Sequence, residues 1–306
     1  MEMLGYKQGV WELTNFNLTK YGKEDSPMYA AKVMLKPDKI GIDWAALGER
    51  LADRVTPEHP KEAQSVRHED NYFLKAVYDP HFGNSTLEDY DISLGKDFRN
   101  FEKGFKEILI IAGGDLLHNN DTKGNTANGT PIEKVDMNQA WEDCYDYFDM
   151  LIEKAHENAE QVTVKYIPGN HDEYSGWTVL KALKRNFENY DNVTIDDSQE
   201  MFKAYLLGHN FIGMTHGDKS RLAKYPMIFA TNFSKLWGAD GVYTREAIIG
   251  HKHFEETIDQ DGLLIRRMPT RNKADQWHID NGFNTSHKKF ISIEYDEFES
   301  VGISYQ

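Results

Sequence analysis

The segment QVTVKYIPGNHDEYSG, residues 161–176, joins a strand pattern to a cluster of polar side chains. Its first half, residues 161–167, is rich in β-branched and aromatic residues and predicts a buried strand. An amide, an imidazole and a carboxylate then follow in consecutive positions, at Asn170, His171 and Asp172. One such cluster could be a simple turn. If other strands end in the same way, the clusters indicate a shared binding site.

Four other predicted strands are also followed by Asp or His side chains. Asp79 and His81 follow the strand predicted over residues 72–78, and Asp115 and His118 follow the one over 107–112. His216 follows the strand over 210–215, and His251 and His253 follow the one over 246–250. Ligands of open α/β sheets bind at the carboxyl ends of the strands. In an extended segment, Asp-x-His and His-x-His place both side chains on one side, because side-chain direction alternates. We therefore predict one site formed by five strand ends.

Seven of these side chains form a candidate set of metal ligands. They are Asp79, His81, Asp115, Asn170, His216, His251 and His253. Carboxylate, imidazole and amide donors without a thiolate suit Mn²⁺, Fe²⁺, Ni²⁺ or Zn²⁺. Seven ligands are too many for one ion and suit two ions that share a carboxylate. Glycines precede Asp115, Asn170 and His251, where a Cβ would obstruct a sharp turn of the backbone.

The order of the predicted elements indicates an α/β fold with a mixed sheet. Helices are predicted over residues 138–160 and 177–187, between strands. The apolar face of the first helix includes Cys144, which we interpret as a core residue. Residues 263–268 and 289–295 predict a late pair of strands. The polar segment 119–133 predicts a long loop.

The first 70 residues differ in pattern from the rest of the chain. Residues 10–36 predict a small β unit, and residues 42–55 show helical spacing of apolar side chains. A polar stretch with two prolines follows, which is typical of a linker. We therefore predict a small α+β extension over residues 1–70 and a main domain over residues 71–306. The extension is too short to bury much apolar surface alone, so we expect it to contact the main domain or a partner.

Composition limits the classes of protein to consider. The 306 residues carry a net charge of -15, which argues against nonspecific binding of nucleic acid over a broad surface. Residues 263–290 hold six Lys or Arg and two Asp, so a local basic surface remains possible. A single cysteine excludes an intramolecular disulfide and cysteine-rich metal sites. No apolar run is long enough to cross a membrane and the start lacks a signal-peptide pattern, so we expect a cytoplasmic protein.

The ordered motifs Asp-x-His, Gly-Asp, Gly-Asn-His-Asp, His and Gly-His-x-His resemble those of the calcineurin-like metallophosphoesterase superfamily. The resemblance covers about residues 72–295. It implies a β-sandwich of two mixed sheets flanked by helices, with two divalent ions, for which we favour Mn²⁺. It assigns one ion to Asp79, His81 and His253, the other ion to Asn170, His216 and His251, and the bridging position to Asp115.

The same resemblance implies a mechanism for phosphoester hydrolysis. A hydroxide held between the two ions attacks phosphorus in line. His171 is not a ligand in this scheme, and the resemblance implies that it donates a proton to the leaving oxygen or holds the phosphate. Asp172 is a candidate to orient the His171 ring, although it could instead cap the following helix.

The segments GGDLLHNN and DPHFG resemble those of the double-strand-break-repair exonucleases. This resemblance implies that His118 lies near the scissile phosphate and that the protein is a Mn²⁺-dependent DNA nuclease. Aromatic rings at Tyr174, Trp177 and Trp277 could stack on bases, although packing is the more common role of such side chains. Basic candidates for phosphate contacts are Lys219, Arg221, Lys224, Arg266, Arg267, Arg271 and Lys273.

The sequence also departs from those exonucleases. Only 53 residues follow His253, which leaves no room for the DNA-capping domain that they carry after the core. A hydrolase of small phosphodiesters or nucleotides is therefore the second hypothesis, and the acidic composition fits it better. A binding protein that has lost catalysis is the third. The expected partner is DNA or another phosphodiester and not a membrane, while a homodimer and a protein partner of residues 1–70 are left open.

Overall fold

The computed structural model describes residues 11–23, 26–37, 70–273 and 287–306. The chain divides into two compact units, residues 1–58 and 59–306, whereas the sequence placed the boundary near residue 70. The predicted helix over 42–55, the linker that follows it and Trp277 lie outside the described residues.

The N-terminal unit contains an antiparallel hairpin of two long strands. These are β1 (Trp11–Lys23) and β2 (Ser26–Pro37). The register pairs Lys23 with Ser26 at the turn and Trp11 with Pro37 at the open end, with an irregularity between Leu13 and Asn15. The hairpin agrees with the β unit predicted for residues 10–36.

The main unit is built on two mixed sheets. Its strands are β3 (Asn71–Val77), β4 (Phe105–Ala112), β5 (Ala159–Tyr166), β6 (Val193–Asp196), β7 (Lys203–Leu207), β8 (Asn210–Met214), β9 (Arg245–Ile249), β10 (Glu256–Gln260), β11 (Leu263–Arg267), β12 (Ile291–Asp296) and β13 (Ser300–Tyr305). The six-stranded sheet has the order β13-β12-β3-β4-β5-β6, and the five-stranded sheet has the order β10-β11-β9-β8-β7. Strands β3 to β6 are parallel, as are β8, β9 and β11.

Helices cover the outer face of each sheet. They are α1 (Asp91–Phe101), α2 (Met137–His156), α3 (Ser175–Asn186), α4 (Tyr225–Asn232) and α5 (Ser234–Trp237). Side chains of β3 alternate between two cores, as the period of a strand requires. Phe73 and Val77 pack in the core that includes α1 to α3, whereas Leu74 and Ala76 pack between the two sheets. A third core lies under α4 and α5. The predicted β-sandwich flanked by helices is confirmed.

One predicted pairing is wrong. Strands β11 and β12 were expected to form a late pair, but they belong to different sheets. Strand β11 lies parallel to β9, and β12 lies antiparallel to β3. Cys144 is buried in the core under α2, as expected. In the part of the chain that the structure describes, no helix combines the length and apolar character that crossing a bilayer requires.

Candidate metal centre

Two groups of acidic and imidazole side chains meet where the strands end. In each group the potential ligand atoms lie within 4.8 Å of one another. One group consists of Asp79, His81 and His253, and the other contains Asp115, His216 and His251. Asn170 adds an amide oxygen to the second group, because its Oδ1 is 3.2 Å from Nε2 of His216. The structure therefore brings together all seven residues that the sequence selected as candidate ligands.

Asp115 lies between the two groups. Its Oδ2 is 3.1 Å from Nε2 of His216 and 4.0 Å from Nε2 of His81. The groups also approach each other at Asp79, whose Oδ1 is 3.9 Å from Nε2 of His216. A single carboxylate oxygen is thus in a position to serve two neighbouring ions.

Backbone N–H groups fix both carboxylates through one oxygen each. The His171 N–H donates to Oδ1 of Asp115 at 2.7 Å, and the His251 N–H donates to Oδ2 of Asp79 at 2.8 Å. The other oxygen of Asp79, Oδ1, lies 3.3 Å from Nε2 of His253. Each carboxylate is therefore oriented by the backbone, and its second oxygen faces the imidazoles.

The backbone at the ligands is left-handed. Six non-glycine residues of the described chain have positive φ, and five of them are candidate ligands: Asp79, His81, Asp115, His251 and His253. The sixth, Asp261, lies in the turn between β10 and β11. Such conformations cost about 1–3 kcal/mol each and cluster at functional sites. The Asp-x-His and His-x-His segments are therefore not extended, and alternation along a strand does not explain why their side chains converge.

Glycines allow neighbouring strand ends to approach closely. A Cβ on Gly169 would lie 2.1 Å from the backbone nitrogen of Asp115 and 2.2 Å from its Oδ1. A Cβ on Gly250 would lie 2.6 Å from Oδ2 of Asp79. Neither glycine has the positive φ that a sharp turn would need. Gly114, which precedes Asp115, has a φ of +87° and fits the expected turn, whereas a Cβ at Gly169 or Gly250 is excluded by contact between adjacent loops.

His171 and His118 lie beside the first group. The ring nitrogens of His81, His118 and His171 come within 4.8 Å of one another. Nδ1 of His171 is 3.0 Å from the carbonyl oxygen of His118, so this nitrogen carries the proton and donates it. Nε2 of His171 is then the nitrogen left for a ligand. The rings of His171 and His81 are 4.7 Å apart and nearly perpendicular.

Asp172 holds the loop that follows β4. Its carboxylate is fully buried and accepts the backbone N–H groups of Asp115 and Leu117, both at 3.0 Å. These contacts correct both roles expected from the sequence. The ring of His171 is oriented by a carbonyl group. At the start of α3, the side chain of Asn120 accepts the Tyr174 and Ser175 N–H groups, and Asp172 accepts the Gly176 N–H with its backbone carbonyl and not with its carboxylate.

Burial and neighbouring charges shift the pKa values of the clustered side chains in different directions. Burial raises the pKa of Asp115, but His216, His171 and His81 outweigh it and hold that pKa well below its usual range. Burial lowers the pKa of His216, but Asp115 and Asp79 raise it to about 10. For His81, burial and then His171 lower the pKa well below its usual value. Burial and the charge of Asp115 raise the pKa of Asp172 to about 7.

The residues fit divalent ions. Within the described residues, Oδ1 of Asp79 and both ring nitrogens of His81 are buried without a hydrogen-bond partner. Each such atom costs about 1–3 kcal/mol unless a ligand binds it. The lowered pKa of His81 favours the neutral imidazole, which is the form that coordinates a metal, whereas an ion at His216 would displace the proton that its raised pKa favours. The oxygen and nitrogen donors suit borderline divalent ions, as the sequence predicted.

Carboxylates neutralise several of the basic residues that were candidates for phosphate contacts. Arg266 binds Glu246 through two hydrogen bonds of 2.6 and 3.1 Å, and Arg267 pairs with Glu256. Lys219 lies 3.0 Å from Asp218, and Lys273 lies 2.8 Å from Asp89. Of the remaining candidates, Arg221 and Lys224 are exposed and Arg271 is half-buried.

Thr270 supports the site and was missed at the sequence level. Its side chain is buried, and its hydroxyl donates to the carbonyl oxygen of Asp79 at 2.6 Å. The Thr270 hydroxyl oxygen also accepts the Asn272 N–H at 3.1 Å. Nearly 200 residues separate Thr270 from Asp79, and no local pattern signals such a contact.

The calcineurin-like phosphoesterase family matches residues 79–291, more than two thirds of the sequence. The chain belongs to this family. The matched range begins at Asp79 and includes all seven candidate ligands, so the superfamily resemblance is confirmed and the expected chemistry is hydrolysis of phosphoester bonds. The exonuclease branch and the choice of Mn²⁺ stay predictions.

Solved structures with a similar fold have low sequence identity to this phosphoesterase. Vps29 of Entamoeba histolytica, complexed with Zn²⁺, is 13% identical over 76% of this chain and 97% of its own, with a TM-score of 0.40. An archaeal phosphodiesterase is 14% identical over 77% of this chain and 99% of its own, with a TM-score of 0.40. A predicted phosphoesterase of Streptococcus pneumoniae is 11% identical over 78% of this chain and 90% of its own, with a TM-score of 0.34. No curated protein matches the sequence.

Proposed function

We propose that this phosphoesterase hydrolyses phosphodiesters with two divalent ions, for which Mn²⁺ is the first candidate. The observation that carries the proposal is Oδ2 of Asp115, which lies within 4.0 Å of imidazole nitrogens from both ligand groups. Asp79, His81 and His253 would hold one ion, and Asn170, His216 and His251 would hold the other. When bound, the ions would supply a water that is activated at neutral pH and would offset charge on the phosphate oxygens.

His171 is the proposed general acid. Its Nδ1 proton is committed to the carbonyl of His118, which fixes the plane of the ring. Because Nδ1 keeps its proton, Nε2 is the nitrogen that can exchange one, and in the imidazolium form of the ring it would donate that proton to the leaving oxygen. His118, which is almost completely buried in the same cluster, would contact the phosphate.

DNA is the substrate that the exonuclease-like segments around Asp79 and Asp115 favour. A small nucleotide diester is the second candidate, and a specific observation supports it. The ion pairs of Arg266, Arg267 and Lys219 leave fewer free cations for a long phosphate backbone, as does the net charge of -15. A small diester needs only the ions and a few nearby donors.

The test compares end-labelled single- and double-stranded DNA with bis-p-nitrophenyl phosphate, each incubated with the purified protein and Mn²⁺. Replacing His171→Ala should lower turnover by about two orders of magnitude while metal binding is retained. This variant also controls for contaminating nuclease. DNA shortening that depends on Mn²⁺ and on His171 would support the nuclease, and its rate should fall steeply with added salt.

Each of the other outcomes assigns a different function. Cleavage of the small diester with intact DNA would favour the small-molecule phosphodiesterase. Metal binding without turnover of any substrate would favour a binding protein on this fold. An unchanged rate in the His171→Ala variant would remove His171 from the mechanism.

A further inference from the structure

An exposed aromatic ring stands next to the candidate metal centre. Tyr174 follows His171 by three residues and has 62% of its surface exposed. Three residues span at most about 11 Å between Cα atoms, so the backbone of Tyr174 lies near that of His171. Its side chain is large, apolar over most of its area and mostly exposed to solvent.

The backbone of Tyr174 is fixed by the same segment that fixes His171. The Tyr174 N–H donates to Oδ1 of Asn120 at 2.9 Å, and the Ser175 N–H donates to the same oxygen at 3.3 Å. The Ser175 hydroxyl donates to the carbonyl oxygen of Asn119 at 3.0 Å. Since His118 holds the ring of His171, residues 118–120 set the positions of both side chains. The aromatic ring and the proposed acid therefore share one rigid support.

The ring of Tyr174 contacts the ring of Trp177 and is otherwise largely exposed. Trp177 lies 6.0 Å away in a tilted arrangement, and Lys181 lies over the ring of Trp177. A single exposed aromatic is common on protein surfaces and needs no explanation by itself. Tyr243 is such a residue, with 78% exposure, but it precedes β9 and so lies at the end of that strand opposite His251. What distinguishes Tyr174 is its fixed place beside His171.

We propose that Tyr174 is a stacking surface for the base of a nucleoside phosphoester. The inference rests on the proposed function and narrows its substrates to phosphoesters that carry a nucleobase. A base attached through a sugar reaches several ångströms from its phosphate, which matches the offset between His171 and a side chain three residues away. Aromatic stacking accepts any base, because every base offers a π-face.

The test measures how much the base adds to binding in the Mn²⁺-loaded protein. Titrations of adenosine 5′-monophosphate and ribose 5-phosphate compare two ligands that share phosphate and sugar. We expect the nucleotide to bind roughly tenfold more tightly, within the range of base stacking on an aromatic side chain. The preference should disappear in Tyr174→Ala and persist in Tyr174→Phe, which keeps the ring. Tyr243→Ala is the matched control and should leave it unchanged.

An equal preference for the nucleotide in wild type and Tyr174→Ala would overturn the proposal, as would an equal loss in Tyr243→Ala. Hydrolysis of bis-p-nitrophenyl phosphate by the wild type tests the proposed function separately. Hydrolysis without a base preference would reject the stacking surface alone, whereas a base preference without hydrolysis would reject the activity alone. Titration of a single-stranded oligonucleotide at two salt concentrations shows whether the ligand is a nucleic acid or a free nucleotide. Only the affinity for the polymer should fall steeply as salt is added.

Discussion

Strand β3 contributes to two groups of buried charged side chains that differ in how their charges are balanced. Lys75, inside the strand, lies in the core on the helix side, with Nζ 2.6 Å from Oδ2 of Asp97 and 3.4 Å from Oε1 of Gln306. Both members of this ion pair are fully buried. Asp79, just beyond the end of the strand, belongs to the candidate metal centre. The two groups are thus four residues apart along one segment.

The first group pairs its opposite charges within the protein, although neither carboxylate oxygen of Asp97 makes a hydrogen bond within the described chain, whereas the second group gathers several ligand atoms at one place. Burial lowers the pKa of Lys75 and raises that of Asp97, and each side chain opposes the shift of the other. At the metal centre, Oδ1 of Asp79 and both ring nitrogens of His81 have no hydrogen-bond partner among the described residues. The backbone there is also left-handed. Buried charge that the protein pairs itself supports the fold, whereas an incompletely paired cluster on a strained backbone is prepared for a ligand.

Asp115→Ala should give the largest effect, because it removes the oxygen shared by both ligand groups. We expect phosphodiester turnover to fall by at least about 10³-fold and coupled binding of two ions to be lost. Steady-state kinetics and metal titration measure both quantities. Asp261→Ala is the matched control, since Asp261 is also left-handed but lies in a turn outside the site. Similar losses in both variants would mean that backbone strain, and not ligation, governs activity.

Lys75→Met should destabilise the fold by about 3 kcal/mol, because it leaves Asp97 buried without its partner. Urea unfolding of the metal-free protein measures this change. The double variant Lys75→Met/Asp97→Leu should recover most of the loss, since both charges are then gone. Metal affinity should be unchanged in the folded fraction of either variant. A change in affinity would show that the two groups along β3 are not independent.

Asp172→Asn should lower metal affinity about tenfold to a hundredfold, the usual effect of losing an outer-shell partner. The new amide can accept only one of the two N–H groups that Asp172 now accepts, from Asp115 and Leu117. The comparison variant is Asp143→Asn, because Asp143 is also buried and accepts the Leu87 N–H away from the ligands. Unchanged affinity in Asp172→Asn would mean that the left-handed loop at Asp115 holds its shape without this carboxylate.

Asp149→Asn should have the smallest effect and should stabilise the protein. Burial and then Glu153 raise the pKa of Asp149 to about 6. The folded state therefore holds this proton more tightly than the unfolded chain, and the resulting stability is lost as pH rises from about 4 to about 6. Removing the charge should add about 1 kcal/mol at pH 7.5, after allowance for solvent screening, and less at pH 5. Unfolding at both pH values checks the sign, and an equal gain at both would contradict it.

The sequence predicted which side chains meet at the candidate site because each follows an apolar strand, a pattern that is visible without knowledge of the tertiary structure. Helix α2 and strands β3, β4 and β5 were predicted for the same reason, since their periodicity is strong. Strand β6 has only four residues, too few to show a period, and strands β7 and β13 are only partly buried, so they lack the apolar run that marks the central strands. Helix α4, with the sequence YPMIFATN, is apolar on more than one face and shows no amphipathic spacing.

Other features depend on contacts between distant segments. The position of the Asp172 carboxylate is set by backbone groups more than 50 residues away. The ion pair of Lys75 and Asp97 joins a strand to a helix, and the hydrogen bond from Thr270 to Asp79 joins two loops. Left-handed backbone at Asp and His residues was also not predictable, because these residue types adopt extended conformations far more often.

Equilibrium dialysis against Mn²⁺, with bound metal counted per chain, tests the central claim most directly. The account predicts two ions per wild-type chain and fewer than two in Asp115→Ala, with Asp261→Ala equal to the wild type. A wild-type chain that binds no ion, or an Asp115→Ala variant that still binds two, would contradict a dinuclear site built around Asp115.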